Sequence, residues 1–450
     1  MELTLLGTGA PLGLPRPGCP CAACACALGE EARAATAVLI DGALLLDLTP
    51  GPAFAAARAG QSLTGVRQVL LSHPHEGPAM EVPAGLPQPG RVADGRELAL
   101  LDGHRVRAIA VDVPGTGYEV GGAEGERLLY LPPGAAPAGL GEAHPGHGAG
   151  AGAGTGPGSG PRSGHGRIQG QGQGQGQAYG QGHGTRPYDM VLMDVLGRPD
   201  GLAKLRASGA VDAATDVLAV HLDHDVPPGP ELHRRLAAAG ARTVPDGSAL
   251  LVGEYHAVPD LPRRTLVLGG ARSGKSAEAE RRLAAFPDVL YVATGGTRDG
   301  DAEWAARVGA HRERRPATWR TAETCDLVPL LADLPDADTG RDTDESPLLI
   351  DCLALWLTHA MDEVGAWDDE KWTAGGERAL RARVDELVAA VRETRRPLVA
   401  VSNEVGSGVV PATASGRRFR DELGRLNAAF GAECEHVLLV VAGQALALRG

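Results

Sequence analysis

Aromatic residues make up only 3% of this 450-residue chain, so its hydrophobic cores must be built mainly from leucine, valine and alanine. No stretch approaches the run of about 18 apolar residues that a membrane-spanning helix needs. The opening residues, MELTLLGTGAPLG, lack the basic start and the long apolar run of a signal peptide. The net charge of −13 argues against a nucleic-acid-binding protein that depends on general electrostatic attraction. We therefore expect a cytoplasmic protein with no membrane span and no nucleic-acid partner.

Cysteine is also scarce. Of the seven cysteines, four lie between Cys19 and Cys26 and three are scattered, which fits a reducing compartment. The apolar share of 43% and the charged share of 22% are ordinary for a globular protein. The length allows two or three domains, each with a core of its own.

A glycine- and glutamine-rich segment at residues 141–186 differs in composition from the rest of the chain. It includes GHGAGAGAGTGPGSGPRSGHG and GQGQGQGQ, and such runs bury too little apolar surface to offset the entropy lost on ordering. The preceding RLLYLPPG and the following YDMVLMDVLG both predict buried strands. We therefore predict a disordered insertion inside one domain.

A proline-rich polar stretch, AVPDLPRR at residues 257–264, marks the predicted boundary between two domains. Beyond it, short apolar strands such as TLVLGG and VLYVATGG alternate with amphipathic helices such as KSAEAERRLAAF. This alternation predicts an α/β fold, a mostly parallel sheet with helices on both faces. We place the first domain at residues 1–258, a linker at 259–263 and the second domain at 264–450.

The second half opens with GGARSGKS, which satisfies the phosphate-binding pattern G-x-x-x-x-G-K-S between a predicted strand and a predicted helix. The glycines let backbone N–H groups turn inward around phosphate oxygens. Lys275 would neutralise the outer phosphates, and the Ser276 hydroxyl would hold Mg²⁺ at the helix N-terminus. The predicted nucleotide-binding residues of this P-loop are Gly269, Gly270, Ala271, Arg272, Ser273, Gly274, Lys275 and Ser276.

Two further features of the second half point to nucleotide chemistry. Asp351 ends the apolar run PLLI, where a carboxylate would face the Mg²⁺ of the nucleotide. The segment GAHRERRPATWRTAE, residues 309–323, surrounds His311 with arginines and has no apolar periodicity. A neutral imidazole can attack phosphorus, and neighbouring arginines both lower its pKa and neutralise phosphates. The residues alone leave open whether His311 is a nucleophile or part of a solvated basic helix end.

Residues 264–450 resemble the bifunctional adenosylcobinamide kinase / adenosylcobinamide-phosphate guanylyltransferase family of cobalamin biosynthesis. The resemblance rests, in order along the chain, on LGGARSGKS, VLYVATG, RVGAHRERRPATWRTAE, LLIDCLALWLT and SNEVGSGVVP. It implies a P-loop NTPase-like domain in which Lys275 is catalytic and His311 becomes covalently guanylylated. It also implies a guanine nucleotide site that is lined by Ala293, Thr294, Gly295, Arg312, Glu313, Arg314, Arg315, Glu323 and Asp351.

The same resemblance implies two successive reactions. In the first, ATP or GTP phosphorylates the aminopropanol arm of adenosylcobinamide, with Lys275 and Mg²⁺ neutralising charge. In the second, GTP guanylylates His311, and the GMP moves to adenosylcobinamide phosphate to give adenosyl-GDP-cobinamide. The family tends toward homo-oligomers, although nothing in the helices of this chain specifies one.

The first half resembles the metallo-β-lactamase superfamily, whose fold is an αββα sandwich. LLSHPHEGP looks like the metal-binding signature H-x-H-x-D-H, and LGTGAPLGLPRPGCPCAAC and AVLIDGALLLDLTPG add to the resemblance. His73 and His75 stand at two of the ligand positions, but Gly77 and Pro78 replace the expected Asp and His. The remaining candidate ligands are His221 and Asp194. So few ligands argue against a working two-metal hydrolase, and we expect the first half to be non-catalytic.

A separate cysteine cluster in the first half predicts a zinc site. In the superfamily subgroup that contains the phosphonate-pathway cyclic phosphodiesterase, C-x-C-x-x-C and a late histidine form a structural zinc site. Cys19, Cys21 and Cys24 match that pattern, and His224 is the candidate fourth ligand. Cys26 is the alternative to His224, and a cluster of reduced thiols without metal is the other interpretation.

Other functions stay open at this point. A plain P-loop kinase would phosphorylate its substrate but retain no label from α-labelled GTP. A metal-dependent phosphodiesterase in the first half would bind a transition metal, and its activity would survive Lys275→Ala. A scaffold role for the first half has no motif in its favour.

Overall fold

The computed structural model describes residues 1–74, 82–100, 102–138, 186–254, 262–296, 309, 312–332 and 346–450. Within these ranges, no helix is long and apolar enough to cross a membrane. The predicted insertion, apart from Arg186, and most of the predicted linker lie outside the described residues. The disorder of the insertion and the domain boundaries therefore stay predictions, as do the homo-oligomer and the cellular compartment.

The strands up to residue 251 form two mixed sheets. The first contains β1 (Glu2–Gly7), β2 (Ala37–Ile40), β3 (Leu44–Leu46), β4 (Gln68–Leu70) and β11 (Ala249–Leu251), in the order β11-β1-β2-β3-β4. The second contains β5 (Glu97–Ala99), β6 (Arg105–Ile109), β7 (Gly117–Gly121), β8 (Arg127–Tyr130), β9 (Met190–Met193) and β10 (Asp216–Ala219), in the order β10-β9-β8-β7-β6-β5. Strands β3 and β4 are parallel, as are β8, β9 and β10, and the other neighbours are antiparallel.

These two sheets face each other across a core in which Leu5 and Ile40 of one sheet meet Tyr118 and Leu128 of the other. The outer face of the first sheet is covered by α2 (Pro52–Arg58). The outer face of the second sheet is covered by α3 (Pro199–Ala207) and α4 (Pro230–Ala238). Because each sheet buries one face against the other sheet and one against helices, the predicted αββα arrangement is confirmed. The short elements of this half are α1 (Ala22–Cys26) and the 3₁₀ turns Gly29–Glu31 and Leu63–Gly65.

The second half forms a third sheet. Its strands are β12 (Arg264–Gly269), β13 (Leu290–Ala293), β14 (Arg320–Glu323), β15 (Leu348–Asp351), β16 (Leu398–Asn403), β17 (His436–Val441) and β18 (Gln444–Arg449), in the order β14-β13-β15-β16-β12-β17-β18. All neighbours are parallel except β17 and β18. Strands β12, β15 and β16 are buried almost throughout, as strands covered on both faces must be. The predicted mostly parallel α/β fold is confirmed.

The helices of the second half are α5 (Lys275–Leu283), α6 (Val328–Leu331), α7 (Leu353–Glu363), α8 (Asp369–Lys371), α9 (Glu377–Glu393) and α10 (Ala414–Ala432), with a π-helical turn at Trp372–Gly376. Helix α10 begins after Thr413, whose side chain accepts a hydrogen bond from the Gly416 N–H and so caps an otherwise unsatisfied donor. The sequence KSAEAERRLAAF predicts α5, and the structure has that helix over all but its last residues.

Two strands of the third sheet have no counterpart among the sequence predictions. Strand β14 reads RTAE and lies at one edge of the sheet, paired with β13. Strand β18 lies at the other edge and returns from β17 through Ala442 and Gly443, whose φ values of 51° and 77° suit a tight hairpin turn. Both strands are largely exposed, so neither needs the continuous apolar run that marks a central strand.

Candidate functional site

The P-loop lies at the carboxyl edge of the third sheet. Strand β12 ends at Gly269, and α5 begins at Lys275. In the register of the sheet, Gly269 pairs with Asn403 of β16, and Ala293 of β13 pairs with Asp351 of β15. The carboxyl ends of four adjacent parallel strands therefore line one edge, which is where open α/β sheets bind ligands.

The loop conformation requires glycine at its two ends. A Cβ atom on Gly269 would come within 2.4 Å of the Ser273 hydroxyl oxygen and 2.8 Å of a backbone carbonyl oxygen. Gly274 has a φ of 98°, which favours glycine because other side chains crowd the backbone there. The buried side chain of Lys275 folds back over the loop, and its Nζ donates to the Gly270 carbonyl oxygen at 3.1 Å. The predicted lysine is therefore in the loop and not on the outer surface.

Asp351 is held in place at the end of β15 by two residues of the neighbouring strand region. The Tyr291 hydroxyl donates to Asp351 Oδ2 at 3.0 Å, and burial raises the pKa of that phenol, so it stays the donor. The Thr294 N–H donates to the Asp351 carbonyl oxygen at 3.2 Å. The Thr294 hydroxyl also bonds both the N–H and the carbonyl of Cys352. Thr294 therefore ties two strand ends together, and its predicted nucleotide contact stays a prediction.

Three of the four arginines of the basic segment contact residues near the P-loop edge of the sheet. Arg314 donates from two nitrogens to the carboxylate of Glu280 on α5, at 3.0 and 3.3 Å, and this pairing raises its pKa. The Arg315 guanidinium lies 3.7 Å from the centre of the Tyr291 ring. Arg312 is exposed and lies 3.0 Å from Glu323. The segment is thus tied to the P-loop helix, to β13 and to the end of β14.

His311 lies outside the described residues, and so the structure gives no position for the predicted nucleophile. The residues that follow it, from Arg312 onward, are described, and Glu313 among them is exposed. The structure brings the P-loop, Asp351 and the strand end at Ala293 to one edge. Sequence reasoning missed Glu280 and Tyr291, because a glutamate in a helix and a tyrosine in an apolar strand carry no local sign of such partners.

The four predicted zinc ligands of the first half lie together. The Sγ atoms of Cys19, Cys21 and Cys24 are 3.3, 3.5 and 3.5 Å from Nδ1 of His224. The four ligand atoms lie within 4.8 Å of one another, close enough to hold one metal ion. The Cys24 N–H donates to the Cys21 sulfur and, as the largest cause, lowers the pKa of that thiol to about 7. Cys26 is exposed and outside the group, so the alternative in which Cys26 replaces His224 is wrong.

His73, one of the candidate metal ligands of the first half, lies in a buried hydrogen-bonded network around Asp47. Asp47 is fully buried and accepts hydrogen bonds from the Ser72 N–H at 2.7 Å, the Ser72 hydroxyl at 2.5 Å and the Tyr130 hydroxyl at 2.7 Å. Burial alone would raise the pKa of Asp47, yet bonds from His73, Ser72 and Tyr130 bring it down to about 2. His75, Gly77 and Pro78 lie outside the described residues.

His221 belongs to the same buried network. Its Nε2 lies 3.1 Å from the Leu131 carbonyl oxygen, and its ring centre is 6.2 Å from that of His73. Among the described residues, Asp47 is thus engaged by protein donors and Nε2 of His221 by a carbonyl oxygen, and the expected lack of catalysis in the first half stays a prediction. Oδ1 of Asp194, the other candidate ligand, accepts a hydrogen bond from the Gly197 N–H at 2.8 Å.

Comparison with known proteins assigns the second half. Residues 265–448 match the sequence model of the family described as cobinamide kinase / cobinamide phosphate guanyltransferase. The bifunctional adenosylcobalamin biosynthesis protein CobU of Salmonella typhimurium is 40% identical over 182 residues, which are 40% of this chain and 95% of that protein. CobP of Pseudomonas aeruginosa, described in the same words, is 43% identical over 190 residues, which are 42% of this chain and 98% of that protein. The chain belongs to this family.

The family that the motifs of the second half predict is thereby confirmed, and the roles of its individual site residues stay predictions. Two solved structures are similar to another part of the chain. A diphosphatase of the PhnP family is 19% identical, with 55% of this chain and 96% of that chain covered and a TM-score of 0.35. Zn²⁺-bound PqqB from Methylobacterium extorquens is 15% identical, with 56% and 100% covered and a TM-score of 0.34. Both TM-scores are below 0.5, so these similarities add nothing to the description of the first half given above.

The buried His221 predicts an acid-sensitive first half. Burial lowers its pKa to about 4, from the value of 6.5 expected in the unfolded chain. Between these values the unfolded chain binds a proton that the folded chain does not, so stability falls as pH falls from 6.5 to 4. The loss should be about 3 kcal/mol. Asp47 adds a separate loss only below pH 3.8.

His221→Asn should remove most of this pH dependence, because Asn does not titrate and tolerates the left-handed backbone at this residue, where φ is 58°. All five tryptophans lie in the second half, so hydrogen exchange of β8 and β9 peptides is the suitable probe of the first. The exposed His233 provides a control, and His233→Asn should leave the dependence as it is. Equal acid sensitivity in wild type and His221→Asn would contradict the assignment.

Proposed function

We propose that the second half carries out both reactions of the family, phosphorylation of adenosylcobinamide and transfer of GMP to the resulting phosphate. The observation that supports this most directly is the shared edge of the third sheet. There the P-loop after β12, Asp351 at the end of β15 and the end of β13 before Thr294 lie along one edge of the sheet. The basic segment is tethered to the same place through Arg314 and Arg315.

In the first reaction, the P-loop N–H groups and Lys275 hold the triphosphate. The aminopropanol hydroxyl attacks the γ-phosphorus and releases its proton to solvent, the bond to the β,γ-bridging oxygen breaks, and a nucleoside diphosphate leaves. Ser276 and Asp351 are the residues that would hold Mg²⁺, which when bound offsets the charge that develops on the phosphates. Tyr291 serves this step by orienting the Asp351 carboxylate through its hydroxyl.

In the second reaction, a ring nitrogen of His311 attacks the α-phosphorus of GTP. The bond to the α,β-bridging oxygen breaks and pyrophosphate leaves, so GMP remains on the imidazole. A phosphate oxygen of adenosylcobinamide phosphate then attacks the same phosphorus, and the phosphorus–nitrogen bond breaks to restore His311. Arg312, exposed beside His311 in the sequence, is the cation we assign to the phosphates of GTP.

Two labels of GTP test the second reaction. The full-length protein is incubated with GTP labelled at either the α- or the γ-phosphorus, and protein-bound label is measured after removal of nucleotide. We expect retention of the α-label alone, released by acid and stable to alkali, as a phosphoramidate requires. Phosphorylation of adenosylcobinamide without retained α-label would leave only a kinase.

We also propose that Cys19, Cys21, Cys24 and His224 hold a structural zinc ion. Three thiolates and one imidazole are a stable tetrahedral set for zinc, and the lowered pKa of Cys21 favours the thiolate that a metal needs. The buried Cys24 packs with Leu14 and Ala27, so the site would fix the loop before β2. The metal would be structural, because all four positions are filled by protein ligands.

Elemental analysis of the purified protein should find about one zinc per chain. Cys24→Ser should lose most of the metal and lower the melting temperature of the first half. Cys26→Ser is the matched control, since Cys26 lies outside the group, and it should keep its metal. Wild-type protein that contains no zinc and takes up none when Zn²⁺ is added would contradict the assignment.

A further inference from the structure

The P-loop helix contacts the first half of the chain. Helix α5, which begins at Lys275, packs against α4. Two charged residues of α5, Glu278 and Arg282, are almost completely buried, with 1% and 5% of their surface exposed. A buried charge destabilises the fold unless it is paired, so the contact between α4 and α5 depends on the partners of these two residues.

The partners come from both halves. Within α5, Glu278 lies 2.6 Å from Arg281 and 3.0 Å from Arg282. Across the contact, Arg235 Nη2 of α4 lies 3.8 Å from Glu278, and Glu231 of α4 lies 3.8 Å from Arg282 Nη2. Glu231 and Arg235 are also paired with each other, at 2.8 Å. Charges therefore alternate across the contact, and each of these two buried charges of α5 faces an opposite charge of α4.

Arg206, in the last turn of α3, joins the ends of both helices. Its guanidinium donates to the carbonyl oxygens of Ala239, which follows α4, and of Ala285, which follows α5, at 2.8 and 2.9 Å. It also lies 5.2 Å from the centre of the Phe286 ring. Carbonyls at helix C-termini lack helical donors and carry partial negative charge, so they suit a cation. Burial lowers the pKa of Arg206 to about 10, which still leaves it protonated at neutral pH.

Ala285 itself is part of the hydrophobic core of the first half, together with Leu205 and Leu236. The segment after α5 is therefore inserted into that core, and Arg206 fixes it there. A helix of this length is rigid. Contacts with Arg206 at its C-terminal end and with α4 along one face therefore fix the position of its N-terminal end. The other end of α5 is the P-loop.

We propose that the first half positions the P-loop helix for nucleotide binding, through Arg206 and the Glu231–Arg235 pair. Arg206 and Glu231 are positioning residues, because they act on the nucleotide through α5 and do not touch it. This rests on the proposed function of the second half. It gives the fused first half a role that needs no catalytic metal.

Kinetics of Arg206→Ala in the full-length protein tests this role. We expect the KM for the nucleoside triphosphate in adenosylcobinamide phosphorylation to rise about fivefold or more, with kcat changed less than about twofold. Hydrogen exchange of the peptide 270–283 should become faster. Arg206→Lys keeps the positive charge but loses the two guanidinium nitrogens that donate to Ala239 and Ala285 together, so it should give an intermediate KM.

Arg242→Ala is the matched control, because Arg242 pairs with Asp216 of its own half at 2.9 and 2.6 Å. It should lower the melting temperature and leave the KM unchanged. If Arg206→Ala does not fold, Glu231→Gln replaces it and should raise the KM in the same direction. Wild-type KM values in a folded Arg206→Ala or Glu231→Gln protein would overturn the inference. Wild-type protein without phosphorylation or label retention would refute the proposed function instead.

Discussion

His311→Ala should reduce retention of α-labelled GMP on the protein at least about a thousandfold, because alanine offers no atom that can form the bond to phosphorus. Phosphorylation of adenosylcobinamide should continue, since that reaction transfers the γ-phosphoryl group directly to a hydroxyl. Formation of adenosyl-GDP-cobinamide should fall with the label. The two reactions are measured on the same preparation, by label retention and by the appearance of each product.

His359→Ala is the control for this substitution. His359 lies on α7 of the same half, is about half exposed and pairs with Glu363 one helical turn away at 3.5 Å. Its removal should leave the label on the protein. Mass spectrometry should locate the GMP on the peptide that contains His311. A GMP adduct on another residue, or full label retention by His311→Ala, would show that the nucleophile has been wrongly assigned.

The parts of the site that the sequence predicts are those set by local backbone geometry. GGARSGKS fixes where β12 ends and where α5 begins, because the glycines at its ends occupy positions that other residues cannot. Asp351 is placed by the end of an apolar run, which the structure has as β15. The positions of the P-loop and of Asp351 can therefore be predicted from neighbouring residues in the sequence alone.

The proposed zinc ligands illustrate an intermediate case. Cys19, Cys21 and Cys24 are close in sequence, and their sulfur atoms lie together around the start of α1, where Cys21 is the N-cap and Cys24 is in the helix. His224 is about 200 residues away, and no local pattern links it to the cysteines. We predicted His224 as the fourth ligand from the resemblance to a family with a late histidine ligand. In the structure, His224 lies next to the cysteines.

The contacts that the sequence did not predict join residues that are far apart in the chain and meet only in the folded structure. Arg314 meets Glu280 because the basic segment folds back onto α5 from 34 residues away. Tyr130 meets Asp47 because two sheets pack face to face. In both cases each residue alone has an ordinary interpretation, a surface charge or a core aromatic. Only the structure shows that Arg314 is held by Glu280 and that the Tyr130 hydroxyl donates to the buried carboxylate of Asp47.

Lys275→Ala should lower kcat/KM for adenosylcobinamide phosphorylation about 100- to 1,000-fold. The substitution removes the cation that we propose faces the outer phosphates, where negative charge develops in the transition state, and one such group is typically worth that much. The fold should persist, because alanine is the best helix former and Lys275 is the first residue of α5. Steady-state kinetics with ATP and with GTP measures the effect and also identifies the phosphate donor.

Lys204→Ala is the matched control, since Lys204 is a partly exposed lysine on α3 that lies 3.6 Å from Asp200 of the same helix. Its kinetics should equal those of wild type. Tryptophan fluorescence reports on the second half alone, because all five tryptophans are there, and it should show Lys275→Ala folded. A folded Lys275→Ala protein with wild-type kcat/KM would mean that the triphosphate is bound elsewhere. The assignment of this edge of the sheet to nucleotide chemistry would then be wrong.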